Sequence, residues 1–213
     1  MKKHIWLNGN SQDENETAQQ QQIIRIEAPE DIGNVSHIKS TDNTISFYGG
    51  VDIITAGELN RLLTDVDIRL QNTKNILGAD YKPTIHLKIR SDGGGLFEGL
   101  AVLDRIRTLK SDLYTYVEGG AASAATLISV TGKRRFIGKN SLMLIHQLSA
   151  GNYGNFQQLE DHQENYRRLM NIIKGVYKQY TKLPMKTLEE ILKRDLWLTP
   201  EECLKYGMVD EII

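Results

Sequence analysis

A serine stands at a predicted turn between a strand and a helix, where a hydroxyl can act as a nucleophile. Residues 113–117 alternate apolar and polar side chains like a strand, and residues 126–130 are typical of a buried helix. Ser123 lies between them, in a stretch of small residues. A helix N-terminus offers unpaired N–H groups and about half a positive charge, which favour negative charge on a nearby oxygen. The plainer interpretation is a serine at a tight packing site.

A second turn of small residues follows the strand predicted at 84–90. Residues 91–95 read Ser-Asp-Gly-Gly-Gly, and a helix is predicted at 96–109. A dinucleotide-binding fingerprint would need glycine at position 98, which is Glu98. Two such turns side by side can aim their N–H groups at one point, which is the geometry of an oxyanion hole.

A histidine and an aspartate complete the set of candidate catalytic residues. His146 ends the apolar strand predicted at 142–145, and Asp195 follows the short helix predicted at 185–193. A histidine at a strand end is more commonly a packing residue, and Asp195 has Arg194 beside it as an ion-pair partner. Ser-His-Asp triads occur in several chain orders, so sequence order alone does not bring these three residues together.

The surrounding pattern predicts an α/β domain. The strands and helices from 84 to 117 form a right-handed crossover unit, and a second unit follows Ser123. Thr55 and Glu58 have the spacing of a capping box at the start of a helix that runs to about residue 72. Further strands are expected at 44–48, 135–137 and 208–212.

The two ends of the chain differ from this regular pattern. Residues 1–22 are polar and predict a flexible leader, with a short strand at 23–26 and a loop over 27–43. A long polar helix from about 155 to 180 would span roughly 40 Å. A helix of that length either crosses the domain or packs against another subunit.

Composition limits the classes of function. The chain has 213 residues with 40% hydrophobic and 25% charged content, which suits one soluble domain. Its net charge of −1 gives no reason to expect a nucleic-acid or membrane partner. No His-x-x-x-His pair is present, so no metal site is expected, and no organic cofactor is expected either. The single cysteine, Cys203, fits a reducing compartment, so a cytoplasmic location is expected.

Four segments in order resemble the family of the Clp protease proteolytic subunit (ClpP), over about residues 44–213. The segments are Ser91-x-Gly93-Gly94, Gly119-x-Ala121-Ala122-Ser123, the run from Lys133-Arg134-Arg135-Phe136 to Ile145-His146-Gln147, and Arg194-Asp195-x-Trp197-Leu198-Thr199. The resemblance implies an α/β, ClpP/crotonase-like fold of repeated β-β-α units with a protruding handle helix at about 155–180. Residues 1–43 would then be a leader or axial segment before a peptidase domain at 44–213.

The resemblance also implies a role for each candidate residue. Ser123 would be the nucleophile of a serine endopeptidase, His146 its general base and then acid, and Asp195 the group that holds the imidazole. The backbone N–H groups of Gly94 and Ala124 would form the oxyanion hole.

The same family assembles as two stacked heptamers with the active sites inside a chamber. A ring-shaped, ATP-driven unfoldase of the AAA+ class threads unfolded proteins into that chamber, so unfolded proteins or peptides are the expected substrates. Departures from the family pattern are Asp92 for proline, Gly95 as a third glycine, Ala124 for methionine and Leu148 for proline. Lys88 replaces a tyrosine of the unfoldase-docking pocket, which puts that contact in question.

Three other functions remain open from the sequence. One is an enzyme of the same fold acting on acyl-CoA thioesters, which would need the oxyanion hole but not Ser123, His146 and Asp195 together. A second is a non-catalytic ring subunit that modifies a partner protease, although such subunits lose triad residues. A third is a virus-encoded peptidase that acts without an unfoldase. A viral or organellar origin would place the protein in a host cytoplasm or an organelle stroma.

Overall fold

The computed structural model describes residues 38–213. Within them lie seven strands: β1 Ile38–Thr41, β2 Thr44–Tyr48, β3 Thr84–Ser91, β4 Asp112–Ala122, β5 Arg134–Ile137, β6 Leu142–Leu144 and β7 Glu211–Ile212. The helices of the same region are α1 Ile53–Leu77, α2 Leu96–Thr108, α3 Ala124–Ser129, α4 Phe156–Tyr180, α5 Met185–Leu192 and α6 Pro200–Lys205. The strand order is β1-β2-β3-β4-β5-β7, with β6 also paired to β4, and only the β1–β2 pair is antiparallel. The predicted α/β class with a largely parallel sheet is therefore correct.

Alternating residues of the central strands divide the sheet into a buried and a half-exposed face. In β3, Ile85, Leu87 and Ile89 are fully buried, whereas the residues between them are partly exposed. Successive residues of a strand point to opposite faces of the sheet. The alternation therefore shows that one face packs against the helices in a common core. Leu63 of α1 belongs to the same buried cluster.

Strand β4 is long because it pairs with two successive strands on one side. Its first half, at 114–117, pairs with β5, and its last residues, at 120–122, pair with β6. Gly119, between the halves, has φ 79°, a conformation that glycine adopts without steric cost. The pairing of β3 with β4 also shifts register between Ile89 and Ser91. As a result, the carboxyl ends of β3, β4 and β6 lie at one edge of the sheet.

The structure corrects the predictions near the start of the domain. Residues 38–41, expected to be loop, form β1, which turns into β2 through Asp42 at φ 53°. Helix α1 begins after Asp52, whose side chain accepts the N–H groups of Ile54 and Thr55, so Thr55 is the third helical residue and not the cap. The helix also continues past residue 72 to Leu77. The predicted leader at 1–22, the strand at 23–26 and the loop up to residue 37 lie outside the described residues.

The long helix α4 has nearly the predicted bounds and is only partly covered. Its buried residues, Ile173, Val176 and Tyr177, all lie in the second half. Near its start, Phe156 is 75% exposed. The described part of this chain therefore leaves the first half of α4 uncovered. None of the helices in residues 38–213 is long and apolar enough to span a membrane.

Candidate active site

Ser123 occupies a strained turn at the carboxyl end of β4. It lies between Ala122, the last residue of β4, and Ala124, the first residue of α3, with φ 54° and ψ −127°. Among the described residues only Asp42 and Ser123 are non-glycine residues with positive φ. Such a conformation costs about 1–3 kcal/mol and persists only where the surroundings enforce it, commonly at functional sites.

The parallel pairing of β4 with β6 brings His146 to the same edge as Ser123. Ala122 is paired with Leu144, and the Ser123 N–H donates to the Leu144 carbonyl at 2.8 Å. His146 follows two residues later and is half-buried. Both side chains thus extend from the carboxyl ends of neighbouring parallel strands.

The glycine turn after β3 is in direct contact with the Ser123 turn. A Cβ placed on Gly93 would lie 2.6 Å from the Cβ of Ser123 and 3.0 Å from the N of Ala124. Val51 fixes the glycine turn, donating to the Gly93 carbonyl and accepting from the Gly95 N–H, each at 2.7 Å. Within residues 38–213, no backbone hydrogen bond uses the N–H of Gly94 or of Ala124. Both groups are therefore available to bind an acceptor.

One pocket of about 390 Å³ gathers most of the predicted site residues. Ser123, His146, Gly94 and Ala124 all line it. Its other walls are largely apolar and include Leu96, Leu127, Leu148, Ile173 and Tyr177. A second groove of about 440 Å³ shares Gln147 and Leu148 with this pocket and follows α4 as far as Lys174. The pocket and the groove therefore adjoin at these two residues.

Asp195 lies outside the pocket lining, in the exposed loop between α5 and α6. The segment that carries it is tied at both ends to the segment that carries His146. Met143 and Leu198 exchange two backbone hydrogen bonds, of 3.1 and 2.7 Å, in an antiparallel bridge. At the other end, the Gln147 N–H donates to the Leu192 carbonyl at 2.7 Å.

Comparison with known families now decides the class of protein. The model of the Clp protease family matches residues 71–213. The chain belongs to the Clp protease family. The predicted family and the predicted ClpP/crotonase-like fold class are thus confirmed.

Curated relatives carry the corresponding name. The chain is 34% identical over 131 residues to the ATP-dependent Clp protease proteolytic subunit of Deinococcus radiodurans, covering 61% of this chain and 64% of that protein, which is less than two thirds of it. It is 35% identical over 177 residues to the subunit of the same name from Streptococcus mutans, covering 81% and 85%. Identity to subunit 2 of Treponema denticola is 34% over 168 residues, covering 78% and 83%. These names support the main predicted function.

Two polar residues bonded to or near the Ser123 turn were not predicted from the sequence. Thr126 is fully buried in α3, and its hydroxyl donates to the Ser123 carbonyl oxygen at 2.6 Å. Tyr177 of α4 lines the pocket and contacts the same hydroxyl at 2.6 Å. The signal for Thr126 was its position three residues after Ser123, where a threonine hydroxyl can reach back to the main chain. No sequence signal links it to Tyr177.

Lys88, which stands where the family pattern has a tyrosine, lies on the half-exposed face of the sheet. Its ammonium forms a 2.9 Å ion pair with Glu118, whose other carboxylate oxygen accepts the Tyr48 hydroxyl. Burial alone would raise the pKa of Glu118, but the hydrogen bonds from Tyr48 and Lys88 outweigh it and hold that pKa below its usual range. Lys88 therefore stands in a charged cluster on this face.

Neither a metal centre nor a reactive thiol competes with the serine in the described region. No group of three or more potential metal ligands occurs within residues 38–213. Cys203 is buried, and that burial raises its thiol pKa to about 12. It therefore remains a protonated thiol near neutral pH.

Proposed function

We propose that this chain is a serine endopeptidase subunit that cleaves peptide bonds through an acyl-enzyme intermediate with Ser123 as nucleophile. The observation that carries the proposal is the strained Ser123 turn, which shares one pocket with His146 and two unengaged backbone N–H groups. A serine forced into such a conformation beside a potential base is the arrangement that nucleophilic catalysis needs.

In the proposed reaction, His146 removes the proton of the Ser123 hydroxyl as its oxygen attacks the carbonyl carbon of the substrate. The imidazolium then gives that proton to the leaving amine, and the acyl-enzyme remains. Water, activated by the same imidazole, releases the second product and restores the serine. Proton transfer requires the two side chains to lie within hydrogen-bond reach, and the pairing of the strand ends that carry them supports this assignment.

Asp195 is proposed to orient the imidazole and stabilise its protonated form. The support is the antiparallel register of Met143 with Leu198. Three residues forward from Met143 is His146, and three residues back from Leu198 is Asp195. The Gln147 N–H bond to the Leu192 carbonyl joins the same two segments at their other end, so His146 and Asp195 both lie between two points at which these segments are tied together.

The oxyanion that forms during attack is proposed to bind the N–H groups of Gly94 and Ala124. The support is the contact between the Gly93 and Ser123 turns, together with the presence of Gly94, Ala124 and Ser123 in the lining of one pocket. Removing one such donor in other acyl-transfer enzymes costs about 10²–10³-fold in rate. No metal or organic cofactor takes part in the proposed steps.

The proposed substrates are unfolded proteins or peptides. The support is that the pocket and the groove along α4 adjoin each other, and the apolar walls at Leu127, Leu148 and Ile173 favour an apolar side chain next to the cleaved bond. A folded protein would not present its backbone to such a recessed serine.

We further propose a cytoplasmic assembly of two stacked heptamers served by a ring-shaped AAA+ unfoldase that consumes the ATP. The exposed first half of α4, with Phe156 at 75% exposure, supports a contact with another subunit. The Lys88–Glu118 pair alters the face on which an unfoldase would dock, so the unfoldase is expected to differ in the matching residues.

The test is labelling by a fluorophosphonate probe, followed by mass spectrometry to locate the adduct. We expect an adduct on Ser123 that is absent in Ser123→Ala and formed about 10²-fold or more slowly in His146→Ala. His86→Ala is the control, because His86 lies on the half-exposed face of the sheet and is hydrogen-bonded to the Tyr116 hydroxyl. A folded wild-type protein that takes no label on Ser123 would contradict the proposal.

A further inference from the structure

A chain of hydrogen bonds connects α4 to the main chain of Ser123. The Thr126 hydroxyl lies 2.6 Å from the Ser123 carbonyl oxygen and 2.6 Å from the Tyr177 hydroxyl. Thr126 is fully buried and Tyr177 is 2% exposed. A buried polar chain of this kind excludes water and holds its members in fixed positions.

The direction of the protons in this chain follows from the groups involved. A carbonyl oxygen only accepts, so the single proton of the Thr126 hydroxyl points to Ser123. The Thr126 oxygen must then accept from Tyr177, whose hydroxyl is the donor. Burial raises the pKa of Tyr177 well above its usual range, which keeps that proton in place. The Thr126 N–H also donates to the Ser123 carbonyl, at 3.0 Å.

Fixing this carbonyl also fixes the proposed oxyanion donor. The Ser123 C=O and the Ala124 N–H belong to the same peptide group, which is planar and trans. The two bonds point in opposite directions, so any rotation of the carbonyl turns the N–H by the same angle. With the carbonyl held by Thr126, the direction of the Ala124 N–H is fixed as well, and Ala124 lines the pocket.

The Ser123 turn is held on both sides. On its N-terminal side the Ser123 N–H donates to the Leu144 carbonyl, and Gly93 packs closely against Ser123 on one flank. On its C-terminal side, Thr126 and Tyr177 hold the Ser123 carbonyl and so oppose relaxation of the positive φ. A conformation that costs about 1–3 kcal/mol needs such opposing contacts to persist.

We infer that Thr126 and Tyr177 are positioning residues that orient the Ser123–Ala124 peptide, and with it the Ala124 N–H, toward the oxyanion of the transition state. This inference rests on the proposed function, in which that N–H stabilises the oxyanion. Through Tyr177, it assigns to α4 an indirect part in catalysis, in addition to its part in lining the pocket.

The test compares single and double substitutions at the two positions. Thr126→Val keeps the shape but leaves the buried Tyr177 hydroxyl without its acceptor, so it loses both stability and rate. Thr126→Val/Tyr177→Phe removes both partners, and such paired removal is nearly neutral for stability. We expect the double variant to regain the unfolding midpoint of the wild type but to remain roughly 10-fold to 100-fold slower in kinact/KI for the fluorophosphonate.

Three readouts separate positioning from a merely structural role. For a fluorogenic peptide, kcat should fall by the same factor while KM stays within about twofold, because the interaction is made only in the transition state. The affinity for a peptidyl boronate, which forms a tetrahedral adduct, should fall in parallel. Thr126→Ser, which retains the hydroxyl, should have the wild-type kcat and the wild-type affinity for the boronate.

Matched controls exist for both residues. The hydroxyl of Thr131 donates to the Ile128 carbonyl at 2.6 Å, the same local geometry as at Thr126, so Thr131→Val tests loss of a like bond away from the pocket. Tyr180 lies on the same helix as Tyr177, and its hydroxyl accepts a hydrogen bond from Arg107 outside the pocket. Tyr180→Phe therefore removes a hydroxyl of α4 that belongs to a different hydrogen bond. Both variants should label at the wild-type rate.

The possible results separate a failure of the positioning inference from a failure of the proposed function. If the wild type labels on Ser123 and the double variant labels equally fast, the positioning inference is overturned and the proposed function stands. If the rate recovers in step with stability, Thr126 is only structural, which also overturns the inference. If the wild type takes no label on Ser123, the proposed function fails and the inference fails with it.

Discussion

Gly93→Ala tests whether contact between the two turns holds the nucleophile in place. Gly93 has φ 88°, and a Cβ there would lie 2.5 Å from the Ala122 carbonyl oxygen, 2.6 Å from the Cβ of Ser123 and 3.0 Å from the N of Ala124. Two of these three atoms belong to the main chain and cannot rotate away. The methyl group must therefore move one turn or the other.

The size of the effect follows from strain and overlap. A positive φ costs alanine about 1–3 kcal/mol, and forced overpacking costs a further 1–3 kcal/mol or so. If the glycine turn is displaced and the Ser123 turn keeps its place, the free energy of unfolding should fall by about 2–6 kcal/mol. If the Ser123 turn yields instead, the stability loss is smaller, but a displacement of about 1 Å can cost 10²-fold in rate.

The assay measures both quantities on the same preparation, by urea unfolding and by the rate of fluorophosphonate labelling. Gly57→Ala is the control, because Gly57 lies in α1 and a methyl group added there would meet no neighbouring atom within 4 Å. That change should stabilise the protein by about 0.5–1 kcal/mol and leave labelling unchanged. A Gly93→Ala protein with wild-type stability and wild-type labelling would refute the reasoning.

Three further predictions concern the scaffold. Asp67→Ala should lower the free energy of unfolding in urea by about 2–4 kcal/mol, because the buried Asp67 carboxylate accepts two N–H groups of the α2–β4 connection, at 2.8 and 3.1 Å. Leu63→Ala should cost about 2–5 kcal/mol in the same assay, since Leu63 is fully buried. Burial tends to raise the pKa of Asp210, but hydrogen bonds from Arg135 outweigh it and lower that pKa, so this carboxylate stabilises the fold above about pH 4 and the contribution disappears as pH falls through the lowered pKa. Between about pH 5 and 2 the wild type should therefore lose more stability than Asp210→Asn, and equal losses would contradict the assignment.

Strong periodicity made most of the fold predictable. Strand β3 and helix α2 were expected within one residue of their observed bounds, because each has apolar residues at its own period. The start of α6 also follows a local sequence signal, since Thr199 accepts the Glu202 N–H as a cap and Pro200 follows. Helix α4 was expected at about 155 to 180, which is within one residue of its observed bounds.

Segments that depend on pairing were missed. Strand β1 has one buried residue, Ile38, and no alternation, so its antiparallel partner β2 decides its conformation. The last part of β4 looked like a turn because glycine and alanine have low strand propensity. Pairing of residues 120–122 with β6 overrides that preference.

The choice of cap at α1 shows a different limit of sequence patterns. Thr55 and Glu58 satisfy the capping-box spacing, yet Asp52 and Thr55 satisfy a reciprocal version of it one turn earlier. A carboxylate accepts two N–H groups here, whereas a hydroxyl seldom does, so the earlier start wins. The sequence contains both capping patterns, and the stronger hydrogen bonds of Asp52 decide which of them starts the helix.

The gathering of the candidate site follows from the topology and not from any local pattern. Gly94, Ser123 and His146 each follow the carboxyl end of a strand, and those strands, β3, β4 and β6, are parallel neighbours through β4. Parallel strands end at a common edge, so residues far apart in the chain reach one pocket. The Thr126–Tyr177 bond is of the same kind, since it joins residues 51 positions apart that neither motif nor periodicity connects. Candidate reacting groups such as Ser123 and His146 can be predicted from residue type and spacing. The residues that orient them, such as Thr126 and Tyr177, can be identified only from the folded structure.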